Sequence, residues 1–257
     1  MNTAPPYALT PRRIVTSEWH KLRTLRSTWL TLGLAAVLVL AVGIVMGSTY
    51  DGDDANIDTI VFTLFGTQLS QLCLVVLGIL VTAGEYATGL VRATMAAVPR
   101  RLPVLWAKAG VFTATAFTVS FAVNTTTFLV AQIWLGDTDK ALALTDPGVL
   151  GALAGNAAGI TLLSLLALAL GALCRSVPAA IGAFIGLVLI LPEVLGMISN
   201  DAVASAVRYF PAKSAEALGS IDSLTAHNSP ATALLTLVLW AAAALAAAAL
   251  LLKRRDV

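Results

Sequence analysis

The sequence predicts an all-α polytopic membrane protein with six transmembrane helices, an N-terminal interfacial helix and a short amphipathic helix on the cytoplasmic side. Three observations carry this. Of 257 residues, 58% are hydrophobic and only 12% charged, with a mean hydropathy of +0.87; a soluble domain carries roughly 25% charged residues. Six runs are nearly free of charge and long enough to cross a bilayer. The charges between those runs alternate in sign from one side to the other.

The chain is read as one transmembrane domain over 1–257. A helix rising about 1.5 Å per residue needs about 20 apolar residues to cross about 30 Å of hydrocarbon. The candidate spans are 30–47, 59–83, 109–135, 149–173, 177–199 and 230–252. The first is 18 residues long and follows some 29 polar residues. A signal h-region has about 7–15, so a retained first span is expected. The third run is long and is expected to tilt or protrude.

Of the 16 Lys and Arg, 13 fall in 1–29, 84–108, Arg175 and the tail 253–255. The opposite side holds Lys140, Arg208 and Lys213. The positive-inside rule then places both termini in the cytoplasm. Of the 14 acidic residues, 11 lie on the opposite side or at the outer ends of spans.

Residues 1–29 precede the first span. Ile14, Val15, Trp19, Leu22, Leu25 and Trp29 share one arc of a helix, which reads as an interfacial helix anchored by tryptophans. Glu18 and Arg26 fall in or at the edge of that apolar arc, and Arg23 outside it. A misplaced carboxylate on a tilted helix is usually just exposed. The alternative is that Glu18 pairs with a basic residue of the loop after the second span, at Arg92, Arg100 or Arg101, and that Glu85 pairs with an arginine nearby.

That loop, 84–108, is the one sizeable cytoplasmic segment between spans. Read as a helix over 87–102, it places Val91, Met95, Val98 and Leu102 on one apolar stripe. Pro99 is expected to end the helix or start a new turn, and Gly84 and Gly89 to allow the chain to change direction. A solvated basic loop and a docking element for a cytoplasmic protein are both open on these residues.

Two stretches resemble a known family. EYATGLVRATMAAVPRR, beginning at Glu85, is similar to the segment after the second span of type-2 (ABC-2 type) ABC transporter permeases, in which a glutamate, a downstream glycine and a Pro-basic ending recur. SEWHKLRTLRSTWLTL, residues 17–32, resembles the segment leading into the first span of such permeases in high-GC Gram-positive bacteria. The resemblance extends to the whole layout, including the long outer loop 200–229 before the sixth span. It implies an exporter subunit in the plasma membrane, paired with a second permease subunit, either another copy or a relative. A separate cytoplasmic ABC ATPase subunit would hold the ATP and Mg. It also implies that 84–101 is the coupling helix seated on that ATPase, with Glu85, Gly89, Arg92, Met95, Arg100 and Arg101 as its residues. The interfacial helix would contribute Glu18, Trp19, Arg23 and Arg26.

The residues agree on one point independently. No GxxxxGK[ST] occurs and none of the five lysines follows a glycine, so the phosphate-cradling P-loop is missing from this chain. No CxxC, HExxH or GxSxG occurs, and the expectation is a transport subunit with no cofactor, no metal and no catalytic residue of its own. No nucleic-acid partner is expected either. A membrane subunit that senses or anchors through the same loop is the competing reading. Within the spans the polar side chains are hydroxyls and amides; Thr67, Gln68, Gln71 and Asn124 are read as a weakly polar path, against plain interhelical hydrogen bonding. The scarcity of intramembrane charge argues against a proton- or sodium-driven carrier. Gly43/Gly47, Gly151/Gly155/Gly159 and Gly182/Gly186 have the spacing of close helix packing, within the bundle or between subunits.

Overall fold

The structure, a computed structural model, describes residues 10–50, 58–97, 101–198, 200–220 and 229–254, without the side chains of Arg92, Met95 and Ala97. It is all-α, with no strand among the described residues. Helix α1 (Pro11–Thr24) precedes the first span, α2 (Arg26–Ser48). A short α3 (Thr59–Thr63) leads into α4 (Thr67–Ala87), and α5 (Leu90–Ala97) follows. Then come α6 (Arg101–Leu135), α7 (Val149–Cys174) and α8 (Val177–Phe184), which continues through a π-helical turn, Ile185–Ile190, into α9 (Leu191–Gly196). Two short helices, α10 (Asp201–Val207) and α11 (Pro211–Leu218), precede the last span, α12 (Pro230–Arg254). Among the described residues, six helices are long and apolar enough to cross a membrane: α2, α4, α6, α7, α8–α9 and α12.

Helix α7 is the axis of the bundle. Of its most apolar stretch 72% is buried, against 22–50% for the other spans. The small residues of its neighbours explain how they approach it. A Cβ on Gly78 of α4 would stand 2.5 Å from the Ser164 carbonyl of α7, and one on Gly171 of α7 would collide with the Thr82 hydroxyl of α4. Thr82 uses that closeness, its Oγ1 donating to the Leu168 carbonyl at 2.8 Å. Gly155 and Gly159 of α7 receive α11, and Gly43 and Gly47 of α2 receive α6 and α3. Two of the expected pairs, Gly43/Gly47 and Gly155/Gly159, therefore serve packing inside one chain, whereas Gly151 meets nothing within 4 Å. Gly182 and Gly186 meet nothing within 4 Å.

Four boundaries differ from the sequence reading, each for a local reason. The interfacial helix ends at Thr24 and the first span begins at Arg26, not at 30, because the backbone is extended at Leu25 (φ −71°, ψ 117°). The second span begins at Thr67, not at 59, because the chain turns at 64–66. Gly66 lies there against the backbone of α2, with a would-be Cβ 2.9 Å from the Val39 Cα. The helix expected over 87–102 is shorter, Leu90–Ala97. Gly89 makes the turn before it with φ 72°, whereas Gly84 sits inside α4 and turns nothing.

The stretch 101–108 is not loop but the first part of α6. At 35 residues and about 1.5 Å each, α6 is about 52 Å long, well beyond a bilayer core of about 30 Å. The protruding part stays helical because its neighbours bury it. Val104 and Ala107 pack on Ile14 of α1, and Leu105 packs on Ala248 and Leu252 of α12. Arg101 donates to the Leu252 carbonyl at 3.3 Å, so α6 begins beside the end of α12.

Pro178 opens α8 and Pro192 lies in the first turn of α9. Pro192 has no N–H and its ring excludes the carbonyl four residues back. The chain answers with the wider turn just before it, where the Leu191 N–H donates to Gly186, five residues back. Pro211 is the first residue of α11, after α10 has ended at Val207.

Candidate functional site

The face that carries the chain ends holds a four-charge cluster. Glu18 of α1 and Glu85 of α4 are 5% and 9% exposed, and Lys108 of α6 is 7% exposed. Lys108 Nζ donates to Glu18 Oε2 at 2.6 Å and to Glu85 Oε1 at 2.7 Å. Lys21, from the next turn of α1, donates to Glu18 Oε1 at 2.8 Å and Glu85 Oε1 at 3.0 Å. Two carboxylates and two ammonium groups alternate in a ring with no net charge. Each pair compensates a desolvation cost of several kcal/mol per ion that none could bear alone. Lys21 makes a further bond, to the Thr94 hydroxyl of α5 at 3.3 Å.

The ring thereby links four helices through side chains: α1, α4, α5 and α6. Burial lowers the pKa of Lys21, but the two glutamates outweigh it and hold the ammonium above its ordinary 10.5. Its share of the stability is complete below that pH and is lost only as pH rises through the raised value. Across the neutral range this linkage keeps its charge.

Glu18 was expected either exposed or paired with an arginine. It is buried, and among the described residues its partners and those of Glu85 are lysines. Arg100 and the side chains of Arg92 and Met95 lie outside the described residues. The face of α1 turned to the protein is Ile14, Glu18 and Leu22, while Val15, Trp19, Leu25 and Trp29 are exposed on the other side. The apolar arc is thus divided. Its aromatic part faces outward, as an interfacial anchor requires, with Arg23 and Arg26 exposed beside it. Trp29 is held by a bond from Nε1 to the Arg23 carbonyl at 2.8 Å.

Lys21 and Lys108 were not singled out, yet a signal existed. Lys108 is flanked at i−4, i−3, i+3 and i+4 by Val104, Leu105, Val111 and Phe112, all buried. A lysine centred on an apolar stripe is either misplaced or paired. Glu18 is framed the same way by Ile14 and Leu22.

The path residues divide too. Thr67, Gln68 and Gln71 line a common cavity with Asn156 at the opposite face. Asn124 does not: it is 1% exposed, with Nδ2 donating to the Asn156 Oδ1 at 3.0 Å and the Leu153 carbonyl at 3.3 Å. It fastens α6 to α7. Asn124→Leu is expected to lower stability by about 1 kcal/mol, within the range of interhelical bonds in membranes, read as an earlier unfolding midpoint in a mixed-detergent titration.

No family model matches this chain, and no curated protein matches it.

Proposed function

We propose that the chain is the permease subunit of an ABC exporter in the plasma membrane, with both termini cytoplasmic. A separate ATPase would bind ATP and Mg and dock on α5 and the residues that follow it. A second permease subunit would complete the pore. The observation that supports this most is the ring of Glu18, Lys21, Glu85 and Lys108. It ties the short helix between the second and third spans to the ends of both spans and to the interfacial helix. A push on α5 would reach α4 and α6 through short charged bonds rather than through a slack loop. The resemblance of 17–32 and 85–101 to type-2 permeases points the same way, as does the absence of a P-loop. The distribution of 13 of 16 basic residues supports the orientation.

The test is a mild-detergent pull-down of the tagged chain from its native membrane, beside an Arg92→Glu/Arg100→Glu variant. A P-loop ATPase is expected with the wild type and lost from a variant that still elutes as a single species in size exclusion. Recovery of an intact complex with no nucleotide-binding protein sinks the reading and favours a sensing or anchoring subunit.

A further inference from the structure

A cavity of about 230 Å³ lies between α4, α7, α9 and α11, at the face opposite the chain ends. Thr67, Gln68 and Gln71 supply its polar wall from consecutive turns of α4, opposite Asn156 of α7. Its rim is charged. Lys213 of α11 bonds Glu193 of α9 at 2.8 Å and Glu216 at 3.5 Å, so two carboxylates share one ammonium. The hydrogen bond from Lys213 to Glu193 raises the lysine's pKa against the effect of burial, so the rim sets one ammonium against two carboxyl groups.

Three further features point to a ligand. Among the described residues at or beside this face, seven carboxylates stand against three cations, a field that draws cations in. The π-helical turn delivers Leu189 and, just beyond it, Glu193 to the cavity; such turns frequently mark functional sites. The remaining wall is apolar, from Ile160, Leu189, Ala212 and Ala215. The volume is below the roughly 300–1,000 Å³ of sites that enclose a whole drug-sized molecule. It suits a compact head group whose apolar body stays outside.

We propose that this cavity binds the guanidinium or primary ammonium head of a cationic amphiphile. Glu193 and Glu216 balance the charge, and the side-chain carbonyls of Gln68 and Gln71 accept hydrogen bonds from the head. The assignment of this molecule as cargo rests on the permease reading, but its binding needs no ATPase.

The experiment uses the full chain in phosphatidylcholine nanodiscs with dodecylguanidinium as probe. Empty nanodiscs and dodecyl sulfate are the controls, and bound probe is measured by equilibrium dialysis. Wild type is expected to bind the cation saturably, about one per chain, and the sulfate only as empty nanodiscs do. Glu193→Gln/Glu216→Gln is expected to weaken binding at least about tenfold, the loss of a charge-assisted hydrogen bond. No saturable binding, equal binding of the anion, or an unchanged double variant overturns the proposal. Should the double variant misfold, cation against anion on the wild type decides alone. Replacing part of the lipid with phosphatidylethanolamine separates two sources of the head: competition with the probe assigns the site to a lipid ammonium, and an unchanged affinity assigns it to a free amphiphile. Specific binding by a chain that recruits no ATPase would remove the permease reading and leave the site standing.

Discussion

Lys108→Met is expected to destabilise the protein by about 3–5 kcal/mol, because it removes one partner from a buried charge ring and leaves the others uncompensated. Glu18 Oε2 loses its only described donor, and Glu85 keeps Lys21 alone. Glu18→Gln should cost a similar amount through the opposite excess, two ammonium groups facing one carboxylate. The double variant Glu18→Gln/Lys108→Met restores neutrality, since Lys21 and Glu85 remain bonded at 3.0 Å. Its loss should therefore be smaller than the sum of the singles by about 1–3 kcal/mol, the coupling expected of groups in one network. Unfolding midpoints of the four proteins in mixed detergent read this directly. Additive losses would mean that the ring does not act as a unit. Lys21→Met removes the tie to Thr94 while leaving Lys108 between both glutamates. It should unfold later than Lys108→Met, and under the proposed function it should disturb ATPase coupling more than folding.

The spans were legible because hydrocarbon imposes a length and forbids charge, and both constraints are written in every residue of a run. The cluster was only half legible. Glu18 drew notice as a carboxylate on an apolar arc, but its partners lie 3 and 90 residues away, and only the second carries a long-range message. Lys108 was hidden by an assumption about its segment: counted as the end of a loop, it had no helical face to violate. Once α6 is known to begin at Arg101, its apolar frame is plain. Gln68 and Gln71 were found because i, i+3 spacing puts them on one face whatever surrounds them. Asn124 was misplaced because a polar residue inside a span looks the same whether it lines a path or fastens two helices. What separates the two is the facing helix, here Asn156, which joins both roles by bonding Asn124 while lining the cavity.

Gly78→Val and Gly182→Val should behave oppositely, although both alter a glycine in an apolar span. At Gly78 the first added carbon meets a backbone carbonyl at 2.5 Å and the Phe112 ring at 3.2 Å. A carbonyl inside α7 cannot rotate away, so α4 and α7 must separate along the best-buried seam of the bundle. Overpacking usually costs about 1–3 kcal/mol; against rigid backbone at the bundle axis, the upper end or beyond is expected. Loss of the monodisperse species in size exclusion, or an unfolding midpoint shifted by that amount, checks it. Gly182 and Gly186 face open space, so valine there should leave the unfolding midpoint of the single chain within about 0.5 kcal/mol, as for substitutions that touch nothing. Under the proposed function, valine at Gly182 and Gly186 also examines whether a second subunit uses the fifth span. If cross-linking of two differently tagged copies drops while the single chain stays folded, the open glycine face is where they meet. If cross-linking is unchanged, the open glycine face of the fifth span is not a contact between copies.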